Sequence, residues 1–398
     1  MTYSGLVSEF IKLYGGSGTD VRIFEAPGRI NLIGEHIDYN GGHVFPAALE
    51  LKNIVAARPN GTRTLNMAVT SLENRVSADI DALDRYKELA WGNYQCGVAS
   101  MLLHDGYPLV GCDLLYHATL PYGAGLSSSA AIEVSTAICL TALGGRERLS
   151  MKDIAVLCQR AENEYVGMQC GIMDQFVSAL GKKEHALFLD CETLEHTYVP
   201  LALGDYTIVI TNTNAVHRHT ESKYKVRRAE CREALAVINQ NGGRYKNLCE
   251  ITLKELENFR RFFADETLYR RARHCVTEEG RTLLAVKALQ DGDIAAFGRL
   301  LNIANISIRD DFEATGRELD AVFDIATRLD GVAGSRMTGG GFGGCTISLV
   351  KKDRVLEFKS IVKQEYTRQI GYAPSFYQSD AGDGAREVRD WQHDSRDL

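Results

Sequence analysis

Residues 35–38 read Glu-His-Ile-Asp directly after Gly34, so two carboxylates and an imidazole fall within four positions. A carboxylate can accept from two vicinal hydroxyls at once, and charge-assisted hydrogen bonds are the stronger kind. Glu35, His36 and Asp38, held by neighbouring glycines, therefore suit a polyhydroxylated ligand. An exposed turn without function would also carry them. A His–Asp–Glu metal site is a third reading, but no second ligand cluster accompanies it. A second stretch, Pro121-Tyr122-Gly123-Ala124-Gly125-Leu126-Ser127-Ser128-Ser129-Ala130-Ala131, lies between a strand-like and a helix-like run. Glycines let its backbone bend and approach a ligand closely. The serines stand where unpaired N–H groups and the helix dipole favour an anion. Such a loop can cradle phosphate and offer a hydroxyl to magnesium; the plainer reading is a glycine turn with a serine N-cap. It is neither a Walker A loop, since no Gly-Lys-Ser/Thr triplet occurs, nor a dinucleotide fingerprint, since Ser128 occupies the third glycine position.

Three further stretches could bear chemistry. Asp174 stands among apolar residues at the start of a helical run to 180, as an N-cap or as a general base in a partly dry setting. Gly339, Gly341 and Gly344 fit the dinucleotide spacing formally, but a β-rich run follows where a helix is required. That loop reads better as a place where a phosphate or another chain segment comes close. His217 and His219 form a candidate ligand pair or a solvated connection, and Glu162 and Glu164 read equally well as surface charge.

The elements that must position these groups follow from periodicity and punctuation. Helices are expected at 3–14, 91–103, 130–143, 151–168 (opened by Ser150 and Asp153 as a variant capping box) and 174–180. Strands are expected at 21–26, 52–58, 64–69 and 111–120. Beyond 186 the pattern gives strands at 186–191, 197–201 and 206–211, and helices at 220–240, 252–264, 267–290, 293–306 and 316–329. A strand from 334, a helix at 353–369 and a last strand at 375–379 follow, with a polar, fraying tail from Glu387.

The chain's 398 residues suit two domains, divided near 181–205, and 45% apolar with 24% charged residues is the balance of a globular protein. A net charge of −7 with dispersed basic residues argues against a nucleic-acid binder. The local basic run 222–232 reads as one solvated helix face. Ten cysteines without metal-like spacing read as reduced, buried residues of a reducing compartment. No signal pattern or membrane-length apolar segment is present, so a cytoplasmic location is expected.

Four segments together resemble a known family. Gly28-Arg29-x-Asn31-Leu-Ile-Gly34-Glu35-His36-x-Asp38-Tyr39-Asn40 is similar to the galactokinase signature. The stretch 121–131 resembles the nucleotide-phosphate motif of the GHMP kinase superfamily (galacto-, homoserine, mevalonate and phosphomevalonate kinases). Gly171-Ile172-Met173-Asp174-Gln175 resembles the segment with the catalytic aspartate, and 338–344 the third, glycine-rich motif. Ile37 departs from the family's usual threonine, implying altered packing around the sugar.

The resemblance implies an α+β, two-domain GHMP kinase fold. An N-terminal α/β domain (1–180, ribosomal protein S5 domain 2-like) and a C-terminal ferredoxin-like α+β domain (181–398) would flank the active-site cleft, the final strand being free to return to the first. It implies ATP-dependent phosphorylation of D-galactose at the anomeric hydroxyl to α-D-galactose 1-phosphate and ADP, the first committed step of the Leloir route. The alternatives are N-acetylgalactosamine or another aldose as substrate, or a silent galactose- and ATP-binding regulator. By the same resemblance Asp174 and Arg29 are catalytic, and Glu35, His36, Asp38, Asp174, Tyr224 and the Gly171 backbone bind sugar. Gly123, Ala124, Gly125, Leu126, Ser127, Ser128 and Ser129 hold the nucleotide, and Ser129 and Glu162 the Mg²⁺. Galactose and ATP would be the partners of a monomer or weak homo-oligomer, without nucleic acid or membrane.

Overall fold

The structure is a computed structural model and describes residues 1–121, 123–145, 149–215 and 220–393, so the His217/His219 pair lies outside it. Its strands are β1 (Arg22–Asn31), β2 (His43–Val44), β3 (Pro46–Pro59), β4 (Thr64–Val69), β5 (Val76–Asp79), β6 (Cys112–Ala118), β7 (His185–Asp190), β8 (His196–Pro200), β9 (Tyr206–Asn212), β10 (Val332–Thr338), β11 (Cys345–Lys351), β12 (Ser375–Tyr377) and β13 (Arg386–Val388). The α-helices are α1 (Tyr3–Tyr14), α2 (Asn93–His104), α3 (Ser128–Leu143), α4 (Met151–Arg160), α5 (Met173–Leu180), α6 (Thr220–Gln240), α7 (Leu253–Phe259), α8 (Glu266–Gln290), α9 (Ile294–Ser307), α10 (Arg317–Ala326) and α11 (Val355–Ile370).

A six-stranded sheet runs β13-β1-β3-β6-β4-β5, antiparallel except for the β4–β6 pair. Its strands are apolar on both faces because both are covered. On one side Phe24, Val55 and Leu114 meet Val134, Ile138 and Phe176 of α3 and α5. On the other, Ile23, Ile54 and Leu115 meet Leu6 and Phe10 of α1. A second sheet, β10-β11-β9-β12, lies between α8–α9 and α10–α11. The two halves share one apolar cluster, in which Leu32, Ile33, Phe45 and Leu126 pack with Ile347, Phe297 and Leu301. A small sheet, β2-β7-β8, ties the segment after the Glu-His-Ile-Asp stretch to the chain beyond α5.

Two expectations are corrected. The first strand does not stop at Ala26 but runs on to Asn31 through Pro27 and Gly28. Its register against β3 shifts between Pro27 and Arg29, a bulge that accommodates the missing proline N–H. A Cβ at Gly28 would come within 2.5 Å of the Leu126 carbonyl oxygen. The bare glycine thus brings β1 onto the Gly–Ser loop, where Arg29 N–H donates to that same carbonyl at 3.1 Å. Nor does the tail fray from Glu387: β13 pairs with β1, and the expected last strand, β12, stays with β9. Charge explains the pairing, since Arg386 meets Glu25 at 2.9 Å and Arg22 meets Glu387 at 2.7 Å.

Candidate active site

Asp174 lies in the first turn of α5 and is not its N-cap, which is Ile172. It instead receives the Arg29 guanidinium as a fork, Nε to Oδ1 at 2.9 Å and Nη2 to Oδ2 at 3.0 Å. The third nitrogen, Nη1, donates to the Gly125 carbonyl at 2.8 Å. Ser127 caps α3 with a left-handed backbone (φ 60°), and its hydroxyl donates to Asp174 Oδ2 at 2.5 Å. The loop conformation, more than a cap bond, sets that hydroxyl: Gly123 and Gly125 also have positive φ (67° and 72°). The third glycine segment supplies the lid of this arrangement. A Cβ at Gly339 (φ 85°) would lie 2.7 Å from the Gly125 carbonyl, and one at Gly344 3.2 Å from the Ala124 carbonyl.

The Glu-His-Ile-Asp stretch divides between two tasks. Glu35 is buried and spoken for: Asn31 donates to Oε2 at 2.6 Å, Gly339 N–H to Oε1 at 3.0 Å, and Arg336 pairs with Oε2 at 2.5 Å. Burial pushes its carboxyl up to about 7 even with Arg336 beside it. Arg336, fully buried, also donates to the Leu32 carbonyl at 2.9 Å and lies 3.7 Å from Glu278. Burial opposes the charge on Glu278, but Arg281 and Arg336 hold it down at about 2. Glu278 in turn accepts from Gly34 N–H at 3.0 Å. Arg336 thus joins the two halves behind the site. We expect Arg336→Met to lower unfolding free energy by about 3–5 kcal/mol in urea titration, since it leaves the buried Glu35 carboxylate without its cation, while Glu278 keeps Arg281. A change below about 1 kcal/mol would show that Glu35 does not depend on it.

His36 has a left-handed backbone (φ 64°) and is buried, stacked on Phe312 with ring centroids 4.6 Å apart. Burial pulls its pKa down to about 3, so the imidazole is neutral. Nδ1 bonds the Tyr39 hydroxyl at 2.9 Å, leaving Nε2 buried without a partner among the described residues. Asp38 accepts from Tyr39 N–H at 3.1 Å, and burial, then the nearby Asp174 charge, raises it to about 6. A Cβ at Gly171 would lie 1.8 Å from Asp38 Oδ2, so the absence of a side chain at 171 makes the room for that carboxylate. Ile37 faces away: it is fully buried, and a Cβ at Gly42 would touch its Cδ1 at 2.9 Å. It belongs to the apolar core and lines neither of the two cavities that meet at the site. The Glu35–His36–Asp38 metal reading also falls, and among the described residues no group of three or more His, Cys, Asp and Glu is arranged to hold an ion.

Glu162, which reads in the sequence as possible surface charge, is buried in a π-helical turn after α4 (Ala161–Val166). The Ser129 hydroxyl bonds it, and Gln175 Nε2 donates to its Oε2 at 2.6 Å and to Glu133 Oε2 at 3.1 Å. Burial, then Asp174, pushes the Glu162 carboxyl up; burial, then Glu162, does the same to Glu133. Glu162 and the Ser129 hydroxyl bonded to it offer hard oxygen ligands of the kind Mg²⁺ accepts. That ion typically takes one or two carboxylates and completes its shell with water and phosphate. Glu133 and Gln175 escaped the sequence reading. Glu133 stands four residues after Ser129, on the same helical face, and that spacing was the available signal.

Two cavities meet here. One, of about 160 Å³, is lined by Arg29, Glu35, His36, Asp38, Glu162, Gly171, Asp174 and Tyr224. The other, of about 830 Å³, is lined by Gly123, Gly125, Ser127, Ser128, Ser129, Lys225 and Gly340, among others. Arg29, Asp174 and Tyr224 border both. Every site residue that the resemblance implies thus lies at or beside one junction; Ala124 and Leu126 are buried in the loop wall.

Known proteins match the chain throughout. Residues 8–59 fit the galactokinase galactose-binding signature, 93–182 the N-terminal domain of GHMP kinases and 285–368 the GHMP kinase C-terminal domain. A galactokinase of Clostridium tetani is 42% identical over 388 residues, 98% of each chain. One of Clostridium acetobutylicum is 45% identical over 370 residues, 92% of this chain and 94% of the other. The Lactococcus lactis galactokinase, solved with galactose, superposes with a TM-score of 0.94 at 40% identity, over 97% of this chain and 99% of the other. The Methanococcus jannaschii mevalonate kinase shares the fold alone, at 17% identity and a TM-score of 0.64 over 91% of this chain and 98% of the other.

Proposed function

The chain belongs to the galactokinase family of GHMP kinases and phosphorylates galactose with ATP; from that premise we propose how its residues divide the work. The observation that carries the assignment is the Arg29–Asp174 fork, set where the small and the large cavity join. Galactose occupies the small cavity and the ATP phosphates the large one. The anomeric oxygen then faces Asp174, which accepts its hydrogen bond and takes its proton as the new O–P bond forms and the bond to the ADP oxygen breaks. Arg29 holds Asp174 in place and offsets charge developing on the transferring group.

Asp38 and the unpartnered His36 Nε2 receive or bond sugar hydroxyls, with Tyr224 and the Gly171 backbone closing the pocket. Glu35 contributes from behind, since its oxygens are already shared with Arg336, Asn31 and Gly339. The backbone and hydroxyls of 123–129 cradle the phosphates at the start of α3. Ser129 and Glu162 would hold Mg²⁺, which would neutralise charge on the phosphate oxygens. Phosphoryl transfer depends chiefly on such positioning and electrostatics. The free state of all ten cysteines supports a reducing, cytoplasmic setting.

An ADP-release assay over a panel of hexoses, with the product phosphate located by NMR, tests the assignment. Phosphate on carbon 1 of galactose is expected, with N-acetylgalactosamine far slower; phosphate on any other carbon would overturn the proposed sugar orientation. The site also carries a pH signature. Asp38 is raised to about 6, so as pH falls through 6 it takes a proton and loses acceptor capacity. Galactose affinity is expected to weaken by up to roughly tenfold per pH unit below that point. Asp38→Asn should remove this dependence; a variant that keeps it would place the titration on another group.

A further inference from the structure

His36 borders the small cavity with one ring nitrogen engaged and the other, Nε2, buried without a partner among the described residues. Its backbone is held from two sides. His274 Nε2 donates to the Glu35 carbonyl at 3.1 Å, and Asn40 Nδ2 donates to the His36 carbonyl at 2.8 Å. Phe312 stacks on the ring. None of these contacts says which nitrogen carries the single proton of the neutral imidazole. That choice determines whether Nε2 gives or accepts a hydrogen bond.

The partner of Nδ1 is the Tyr39 hydroxyl, at 2.9 Å. Tyr39 packs against the core and lines neither cavity of the site. Tyr224 packs edge-to-face with its ring. Arg228, from the basic run read in the sequence as a solvated face, lies over that ring and donates to the Cys170 carbonyl at 3.1 Å. Burial holds the phenol above its ordinary pKa, so the hydroxyl keeps its proton. Among the described residues, His36 Nδ1 is its one hydrogen-bond partner. If Nδ1 carried the imidazole proton, the phenol proton would lack an acceptor away from the cavity, and the Nε2 lone pair would be unmet as well. If the phenol donates to Nδ1, only Nε2–H is left over, on a residue that borders the cavity, where a ligand oxygen can accept it.

We propose that Tyr39 is a positioning residue: its hydroxyl donates to His36 Nδ1 and so makes Nε2–H a fixed donor to one galactose oxygen. Asp38, ionised above about pH 6, can only accept. The two side chains therefore read the sugar in opposite senses. The oxygen before His36 is recognised as an acceptor, and the hydroxyl before Asp38 as a donor. The proposal rests on the reading that galactose occupies the small cavity.

Two measurements on the full chain near pH 8, where Asp38 is ionised, test it. The first is nitrogen NMR of the sugar-free protein with isotope-labelled histidine, the His36 signals being those lost in His36→Gln. A bare Nδ1 and a protonated Nε2 are expected in wild type, and a mixture of tautomers in Tyr39→Phe. The second is calorimetric titration with galactose and its monodeoxy and monodeoxyfluoro analogues. Tyr39→Phe is expected to weaken galactose roughly two- to tenfold and to leave ATP nearly unchanged. That loss should vanish for the one deoxy sugar lacking the oxygen before His36. Fluorine accepts weakly and cannot donate. It should be tolerated better at that carbon than at the carbon where Asp38→Ala loses its effect. A protonated Nδ1 in wild type overturns the proposal, and so does an equal loss in Tyr39→Phe for every analogue, which a displaced loop would give. If Asp38→Ala weakens galactose while Tyr39→Phe does not, the proposal falls and the sugar reading stands. If neither variant weakens it, the small cavity is not the sugar site and both fall.

Discussion

Asp174→Asn is expected to cut turnover by at least ~100-fold while galactose affinity stays close to wild type. The amide matches the carboxylate in size and can still accept from Ser127 or from one arm of Arg29. It cannot accept a proton, and its NH₂ meets the other guanidinium arm donor against donor. The Arg29 side chain is only 4% exposed, so part of its charge loses its partner and stability should fall as well. Asp174 is 30% exposed, and water tempers that loss. Turnover and equilibrium binding must therefore be measured separately, with the melting temperature as a control. Turnover within about tenfold of wild type would remove the base role. Sugar affinity falling in step with turnover would make Asp174 a wall of the pocket and not its reactive group.

Gly171→Ala is expected to weaken galactose by roughly ten- to a hundredfold and leave ATP unaffected, though the change adds one methyl group. The added carbon would sit 1.8 Å from Asp38 Oδ2 and 2.2 Å from its Cγ. Asp38 cannot withdraw without giving up the Tyr39 N–H on its other oxygen. The carboxylate must swing out of the position in which it is proposed to accept sugar hydroxyls. Asp38→Ala should cost a similar amount of affinity and also clear the collision. The two changes together should then be no worse than Asp38→Ala alone, a non-additivity that reports direct contact. A double variant much weaker than Asp38→Ala would mean that residue 171 acts through some other neighbour.

Both effects hinge on contacts between segments far apart in the chain, and that separates what could be read locally from what could not. The sequence by itself determined the elements and the chemical menu. Glycine spacing announced the left-handed turns at 123 and 125, the serine run marked the start of α3, and Glu35, His36 and Asp38 declared a polar site. Those signals are local, arising from φ preferences, capping and side-chain periodicity within a few residues. The tertiary structure alone decided which charge answers which. Asp174 finds Arg29 145 residues away, and Glu35 is held by Gly339 across 304. Glu162 reads as surface charge in its own helix but is buried beside Glu133 once α3, α5 and the π-helical turn close together. The bulge that aims Arg29 at the loop, and the return of β13 to β1, likewise depend on neighbours no local pattern names. Desolvation and charge pairing belong to the assembled fold, because a side chain's partner and its distance from water are set by packing and not by its position along the chain.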